Sequence, residues 1–183
     1  PAKLGDCDLA IALDGDADRL ALTDATHGIL DGDDLLYLLT RDGDGPVVGT
    51  VMSNGGLEDA LGERFIRAPV GDAHVAAAMN THGATIGGEP SGHILFQDGM
   101  PTSDGMYTAL RVLAAEAQRP LPIEGWTRLP QAKRNVRDVS CPDTLPEIVA
   151  ARAGGHRVLV RPSGTEPLIR VMVEGPQAET WAS

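Results

Sequence analysis

The feature that most restricts the fold of this chain is an alternation, between residues 33 and 117, of short apolar runs with segments of helical periodicity. A short apolar run bounded by turn residues predicts a β-strand, whereas apolar residues repeated every three or four positions predict a helix. Repeated β-α units predict a mixed or largely parallel sheet with helices on its faces. The predicted strands are 47–52, 65–68, 84–87 and 94–97, and the predicted helices are 33–40, 57–64, 72–81 and 104–117.

Further segments flank this α/β region. Before it, the unbroken apolar run Leu9–Leu13 predicts a strand buried on both faces, and a second short strand at 20–23 follows an acidic loop. After it, prolines predict a domain boundary near residues 118–126. We therefore expect an α/β fold, a mixed β-sheet domain with helices on its faces joined to a small α+β C-terminal domain. The elements predicted for the latter are strands 136–139, 157–160 and 169–174 and helix 145–153.

The charge of the chain narrows its possible partners. Its 183 residues carry a formal net charge of −11, which argues against nucleic acid or an anionic membrane, because both attract basic surfaces. Of the 15 basic residues, all but Lys3 and Lys133 are arginines, the side chain suited to bidentate phosphate contacts. We expect a small anionic ligand, bound where a few arginines are concentrated.

The lack of recognisable targeting signals and the small number of cysteines favour a cytoplasmic location. No apolar stretch approaches the roughly 20 residues of a membrane-spanning helix, and no signal-peptide pattern opens the sequence. The two cysteines, Cys7 and Cys141, are too few for a disulfide framework and are usual in a reducing compartment.

The acidic loop Asp14-Gly15-Asp16-Ala17-Asp18 follows the first predicted strand. Its three carboxylates repel one another at close range unless a cation joins them, and all-oxygen ligation suits Mg²⁺, Ca²⁺ or Mn²⁺. An EF-hand is excluded by spacing, since its sixth and twelfth positions are Arg19 and Ala25. A solvated acidic turn and the nucleophile loop of a haloacid-dehalogenase-like phosphatase remain alternatives.

A second loop, Gly88-Glu89-Pro90-Ser91-Gly92-His93, joins two predicted strands. Glycines near both of its ends allow the backbone to approach a ligand closely. Glu89 and Ser91 have the hydrogen-bonding groups that vicinal sugar hydroxyls require, and His93 can orient a hydroxyl or transfer a proton near neutral pH. An ordinary turn without a ligand is the alternative.

A third loop, Arg161-Pro162-Ser163-Gly164-Thr165-Glu166, lies between two predicted strands of the C-terminal domain. Its guanidinium, its two hydroxyls and the backbone N–H groups around Gly164 can surround a phosphate, and Arg170 can add a second cation. The loop lacks the Gly-Lys-Ser/Thr order of a Walker A motif. A polar hairpin turn is the alternative.

The content and order of the three loops resemble the α-D-phosphohexomutase family, and the resemblance covers nearly all of the chain. It implies that Asp14, Asp16 and Asp18 hold Mg²⁺ and that Arg19 steadies the transferred phosphate. It also implies three segments: 1–26 as the end of the second domain, 27–120 as the third, sugar-binding domain, and 121–183 as the fourth, phosphate-binding domain. The residues implied to bind substrate are Glu89, Ser91, His93, Arg161, Ser163, Gly164, Thr165 and Arg170.

Within this family the resemblance is strongest to members that interconvert glucosamine 6-phosphate and glucosamine 1-phosphate for cell-wall precursors. The implied reaction, of the isomerase class, transfers a phosphoryl group from an enzyme phosphoserine through a sugar bisphosphate. The ligand is then a phosphorylated hexose or hexosamine, and members that act on phosphorylated glucose or mannose are an alternative.

Two departures from the family pattern bear on activity. The family usually has a basic residue after Gly71-Asp72, where this chain has Ala73, and His74 is the candidate catalytic substitute or a solvent-facing residue. No segment resembles the family's phosphoserine loop, and the chain starts at Pro1 rather than Met. We therefore expect a C-terminal portion that needs the N-terminal domains of the same enzyme for turnover, with a non-catalytic sugar-phosphate binding module as the alternative.

Overall fold

Three β-sheets organise the protein in a computed structural model that describes residues 7–24, 28–99, 102–118, 125–137, 145–163 and 166–181. The chain divides into two compact units. Unit 1 comprises Pro1–Ser53 and Leu57–Thr127, and unit 2 comprises Asn54–Gly56 and Arg128–Ser183.

A three-stranded antiparallel sheet opens unit 1, with β2 paired to β1 on one side and to β3 on the other. The prediction that the first strand is buried on both faces is wrong, because Ile11 in β1 is 39% exposed. Among the described residues β1 is an edge strand, whereas the central strand β2 buries Leu20 and Leu22. The strands are β1 (Leu9–Leu13), β2 (Leu20–Asp24) and β3 (Gly28–Leu30), of which β3 was not predicted.

The second sheet of unit 1 has the strand order β5-β4-β6-β7. In it β4 is parallel to both β5 and β6, whereas β7 is antiparallel to β6. The prediction of a mixed sheet is confirmed. The strands are β4 (Val47–Thr50), β5 (Phe65–Ala68), β6 (Ile86–Gly88) and β7 (Ile94–Phe96).

Helices cover both faces of this second sheet. Neighbouring side chains of a strand point to opposite faces, and the adjacent residues Val47 and Val48 accordingly enter two different hydrophobic cores. Residues of α1, α2 and α4 belong to the first core and those of α3 to the second. The helices are α1 (Gly32–Thr40), α2 (Gly55–Leu61), α3 (Asp72–His82) and α4 (Gly105–Gln118).

Unit 2 is built on an antiparallel sheet of order β8-β10-β9, against which α5 and α6 pack. The strand predicted at 136–139 lies earlier, at Gln131–Val136, and residues 138–140 are outside the described part of the chain. That strand is mostly polar and exposed, so an apolar run does not mark it. The elements are β8 (Gln131–Val136), α5 (Pro146–Ala153), β9 (Arg157–Pro162), β10 (Ile169–Glu174) and α6 (Ala178–Trp181).

The predicted α/β class is confirmed by these two units. None of the helices in the described ranges has the length and apolar character needed to cross a membrane.

Candidate functional site

The three aspartates of the acidic loop converge on one point. Each of Asp14, Asp16 and Asp18 offers an oxygen, and these oxygens all lie within 4.8 Å of one another. The chain turns sharply after β1, where the Ala17 N–H donates to the Asp14 carbonyl at 3.2 Å. Ala17 has a φ of 60°, a conformation that is uncommon for residues other than glycine and that concentrates at functional sites.

Two basic side chains lie against the acidic loop. Arg19 approaches Asp14 through Nε, 3.3 Å from Oδ2, and its backbone N–H donates to Asp14 Oδ1 at 3.2 Å. His93 Nε2 lies 2.7 Å from Asp18 Oδ2. The pKa of the Asp18 carboxyl lies below its ordinary value, chiefly because of the hydrogen bond with His93; burial opposes this shift, and the charge of Arg19 favours it.

The donor set of the acidic loop fits a hard divalent cation. Asp18 uses Oδ2 for His93, and its other oxygen, Oδ1, is buried with no hydrogen-bond partner among the described residues, although Arg19 Nε lies 3.7 Å from it. A buried acceptor without a donor is costly unless a cation or water meets it. Carboxylate oxygens are the ligands that Mg²⁺ and Ca²⁺ prefer.

The loop predicted to bind sugar is bonded to the strand that follows the acidic loop. Gly92 N–H donates to the Glu89 carbonyl at 3.0 Å, which closes the turn, and Leu20 N–H donates to the Gly92 carbonyl at 3.2 Å. Gly92 has a φ of 95°, and a Cβ there would lie 2.3 Å from the Leu20 carbonyl oxygen. Only glycine fits at this position, where the two loops meet.

His93 uses one ring nitrogen toward its own loop and the other toward the acidic loop. Ser91 Oγ lies 3.2 Å from Nδ1, while Nε2 faces Asp18 at 2.7 Å and Arg19 Nε at 3.3 Å. Because the Asp18 contact is the shorter, we assign the proton to Nε2, so that Nδ1 accepts from the Ser91 hydroxyl. His93 therefore holds the sugar loop against the acidic loop, and its contact with a sugar hydroxyl stays a prediction.

Glu89 and His74 both contact the start of α3 at Gly71. Glu89 is buried, and its Oε1 accepts the Gly71 N–H at 3.2 Å. His74 stands in the first turn of α3, where its N–H donates to the Gly71 carbonyl at 2.9 Å and its side chain is exposed. The buried carboxylate thus fixes the position of the helix start that presents Ala73 and His74.

Sequence reasoning missed two residues that support the acidic loop, Ser103 and Gly105. Buried Ser103 donates through Oγ to the Asp18 carbonyl and accepts the Ile94 N–H at 3.2 Å. Gly105 N–H donates to the Ala17 carbonyl at 2.9 Å, and a Cβ on Gly105 would lie 2.7 Å from the Arg19 carbonyl oxygen. The sequence signal for these two residues is Ser103-Asp104-Gly105 directly before an apolar helix, where Asp104 Oδ1 accepts the Tyr107 N–H.

The candidate phosphate site lies at one end of the β9–β10 pair in unit 2. Arg161 and Arg170 are directly opposite each other in the antiparallel register, an arrangement of like charges that is destabilising by itself. Arg170 Nε and Ser163 Oγ are buried, and neither has a hydrogen-bond partner in the described ranges. A bound oxyanion would accept hydrogen bonds from both donors and would offset the charge of the two opposed guanidinium groups.

Two other residues predicted to bind phosphate, Gly164 and Thr165, lie outside the described residues. The loop around them is closed by a hydrogen bond from the Ser163 N–H to the Leu168 carbonyl at 2.8 Å.

The structure thus brings the acidic and sugar loops together in unit 1 and places Arg161, Ser163 and Arg170 together in unit 2. The roles of these residues toward substrate, and the segment boundaries at 26 and 120, stay predictions.

Two family models match the chain. The model for the α/β/α domain III of phosphoglucomutase/phosphomannomutase matches residues 31–133, and the model for the C-terminal domain of the same proteins matches residues 110–183. The first match alone covers more than half of the chain.

Curated relatives with high similarity are phosphoglucosamine mutases. One from Aeromonas hydrophila is 46% identical over 95% of this chain and 45% of its own length. One from Burkholderia cenocepacia is 47% identical over 93% of this chain and 43% of its own length. The chain therefore spans a little under half the length of these relatives.

Solved structures show the same fold. An N-acetylphosphoglucosamine mutase from Aspergillus fumigatus, in complex with GlcNAc-6P and magnesium, has a TM-score of 0.78 at 20% identity, over 100% of this chain and 52% of that one. A phosphoglucomutase/phosphomannomutase family protein from Burkholderia thailandensis has a TM-score of 0.76 at 23% identity, over 98% of this chain and 45% of that one.

Proposed function

Because the chain belongs to the phosphoglucomutase/phosphomannomutase family of phosphohexomutases, we propose that it supplies the metal, sugar and phosphate sites of a phosphoglucosamine mutase. The enzyme would interconvert glucosamine 6-phosphate and glucosamine 1-phosphate. Identity of 46% to relatives of that activity supports this substrate over phosphorylated glucose or mannose.

The observation that carries the proposal is the cationic pair of unit 2. In a chain of net charge −11, the sheet register places Arg161 opposite Arg170, and buried donors of Arg170 and Ser163 have no partner among the described residues. An oxyanion held there would remove the repulsion and satisfy both donors at once. We assign this site, completed by Gly164 and Thr165, to the sugar phosphate that is not being transferred.

The sugar itself would be held by the loop 88–93. Ser91 is exposed, and Glu89 is buried beside the start of α3. The Ser91 hydroxyl and the Glu89 carboxylate, which lie on one turn, can therefore form hydrogen bonds with the hydroxyl groups of a hexosamine. Hydrogen bonds from the neighbouring strand and from His93 fix that turn before substrate arrives, which favours positioning over rearrangement on binding.

The acidic loop would bind Mg²⁺ through Asp14, Asp16 and Asp18, because their oxygens converge and Asp18 Oδ1 has no hydrogen-bond donor among the described residues. When bound, this ion supplies positive charge against the oxygens of the transferred phosphoryl group. Arg19, already beside Asp14 and half exposed, adds a guanidinium on the same side.

The transferred phosphoryl group must come from outside this sequence. In the proposed step the phosphoserine O–P bond breaks as a sugar hydroxyl oxygen bonds to phosphorus. The hydroxyl proton passes to a base, for which the exposed His74 is our candidate, and the departing serine oxygen takes up a proton to become a free hydroxyl. The resulting bisphosphate reorients in the site, and its other phosphoryl group is transferred back to the serine. N-terminal domains of the same enzyme would provide the serine, in the cytoplasm where sugar phosphates are made.

A chimera tests this function. The part of the Aeromonas hydrophila enzyme that this chain matches is replaced by the 183 residues, and formation of glucosamine 1-phosphate from glucosamine 6-phosphate is measured. We expect turnover that is lost in Asp16→Asn and retained in Asp8→Asn, a matched exposed carboxylate outside the cluster.

Two results would contradict the proposal. A folded chimera that binds glucosamine 6-phosphate without turnover would instead support a non-catalytic sugar-phosphate binding module. Preferential conversion of phosphorylated glucose or mannose would move the assignment to a plain-hexose mutase.

A further inference from the structure

Helix α4 carries large apolar residues outside the face that it packs into unit 1. Of its 14 residues, Arg111, Glu116 and Gln118 are the ones with charged or amide side chains. An apolar stripe that extends beyond the packed face of a helix is normally covered by another element. The composition of α4 therefore predicts two packed faces.

Among the described residues of unit 1, one of these faces is packed and the other is not. Ala109 and Val112 belong to the main hydrophobic core, and α4 packs against α1, β1 and β2. An adjoining face of α4 is exposed: Met106 is 57% exposed, Leu110 59% and Leu113 40%.

The exposed residues form a continuous line, which we call the α4 stripe: Met106, Leu110, Leu113 and the exposed Ala117. Their spacing of four, three and four residues is that of a helix seam that packs against another element. Seven large hydrophobic residues are exposed among the described residues, and three of them lie in this stripe. An apolar line of this kind marks an interaction surface rather than scattered surface residues.

The lengths of the relatives indicate what covers the stripe. This chain covers 45% of the Aeromonas hydrophila enzyme, and the matching family models are those of domain III and the C-terminal domain. Relatives therefore carry further domains that have no counterpart in the matched part. The edge strand β1, with an unbroken apolar sequence and Ile11 exposed, is a second incomplete element in unit 1.

A second copy of the chain is a poorer occupant. Each copy brings a formal charge of −11, and two such copies repel one another.

We infer that the α4 stripe is the docking surface for the N-terminal half of a phosphohexomutase, the part that carries the phosphoserine. This inference rests on the proposed function and deepens it by assigning the surface that joins the two halves of the active enzyme. Leu110, which lies within the stripe and is 59% exposed, is the expected anchor.

Hydroxyl-radical footprinting with mass spectrometry tests the docking surface without any turnover. The 183-residue chain is compared with the full-length chimera described above. We expect modification of Met106, Leu110 and Leu113 to fall about fivefold or more in the chimera, because interface cores exclude water. Val149, which is 53% exposed on α5 in unit 2, should be modified equally in both proteins and serves as the internal control.

A charge substitution gives an independent readout. Leu110→Glu should leave the unfolding midpoint of the 183-residue chain unchanged and lower that of the chimera, whereas Val149→Glu should leave both midpoints unchanged. Equal modification of the stripe in both proteins, or an unchanged chimera midpoint in Leu110→Glu, would overturn the inference. So would protection of the stripe in the chain alone that grows with concentration, since a second copy would then be the occupant. A chimera with a protected stripe but no mutase activity would support docking and count against the proposed function.

Discussion

The basic side chains at the two candidate sites of this protein differ in whether carboxylates balance their charge. In unit 1, Arg19 and His93 lie against the carboxylates of the acidic loop, and hydrogen bonds from Ser91, Ser103 and Gly105 hold the arrangement. In unit 2, Arg161 faces Arg170 across the sheet, and Arg170 Nε has no hydrogen-bond partner among the described residues.

The same strand pair shows both kinds of arrangement a few residues apart. At one end of β9 and β10, Arg157 is opposite Glu174 and donates to it at 2.7 Å, while toward the other end Arg161 is opposite Arg170. Arg157 thus has a carboxylate opposite it, whereas Arg161 has a second arginine opposite it. This difference favours binding of an anion between Arg161 and Arg170. We therefore interpret the Arg157–Glu174 pair as structural and the Arg161–Arg170 pair as functional.

The largest expected loss comes from breaking the junction of the acidic and sugar loops. In Gly92→Ala, the left-handed φ of 95° and the 2.3 Å approach of Cβ to the Leu20 carbonyl oxygen should cost about 3 kcal/mol of unfolding free energy. Gly62→Ala is the matched control, with a φ of 59° but no atom within 4 Å of a new Cβ, and should cost about 1 kcal/mol. Urea unfolding measures both, and equal losses would show that the two loops are not held at this contact.

Breaking the structural pair of unit 2 should cost somewhat less. Glu174 is 2% exposed and accepts hydrogen bonds from Arg157, Gln131 and the Gly55 N–H. Burial raises the pKa of its carboxyl, but these three hydrogen bonds outweigh burial and leave that pKa below the ordinary value of 4.5. Glu174→Gln should lose about 2 kcal/mol at neutral pH, because donors lose a charged acceptor.

The sign of the pH dependence follows from the lowered pKa. Glu174 contributes its full stabilisation above pH 4.5, and the wild-type chain loses it as the pH falls through the lower pKa of the folded state. Unfolding free energy measured against pH should therefore fall less steeply below pH 4.5 in Glu174→Gln. The control Glu179→Gln, an exposed carboxylate in unit 2, should keep the wild-type slope, and a wild-type slope in Glu174→Gln would refute the assignment.

A smaller structural loss is expected from Ser103→Ala, which leaves the Asp18 carbonyl and the Ile94 N–H without their shared partner. We expect about 1 kcal/mol of lost stability and about tenfold weaker Mg²⁺ binding, as for other residues that orient metal ligands. Thr102→Ala, one residue earlier and exposed, is the control. Titration calorimetry with Mg²⁺ compares the two variants. Equal affinities would show that Ser103 does not support Mg²⁺ binding.

The smallest change in stability is expected where the charges are unbalanced. Arg170→Gln removes one of two opposed guanidinium groups and should change the unfolding free energy by less than about 0.5 kcal/mol, whereas Arg157→Gln should lose about 2 kcal/mol. Thermal unfolding without phosphate compares them. A large loss in Arg170→Gln would make the Arg161–Arg170 pair structural.

Patterns of apolar residues predicted most of the fold, because period and length separate the strands and helices of the α/β region. They failed for β8, whose polar residues face solvent, and for β1, since an apolar run does not reveal what covers its second face. In the candidate site, the carboxylate cluster was predictable from alternation within one loop. Contacts between segments distant in sequence, such as Ser103 with Asp18 or Asp18 with His93, have no local signature and required the structure.

The most direct test of the central claim is titration calorimetry of the 183-residue chain with glucosamine 6-phosphate, comparing wild type with Arg170→Gln and with the exposed control Arg134→Gln. We expect that Arg134→Gln binds like wild type, that Arg170→Gln binds about tenfold more weakly or worse, and that uncharged glucosamine is not bound. Equal affinities of wild type and Arg170→Gln for glucosamine 6-phosphate would contradict the central claim.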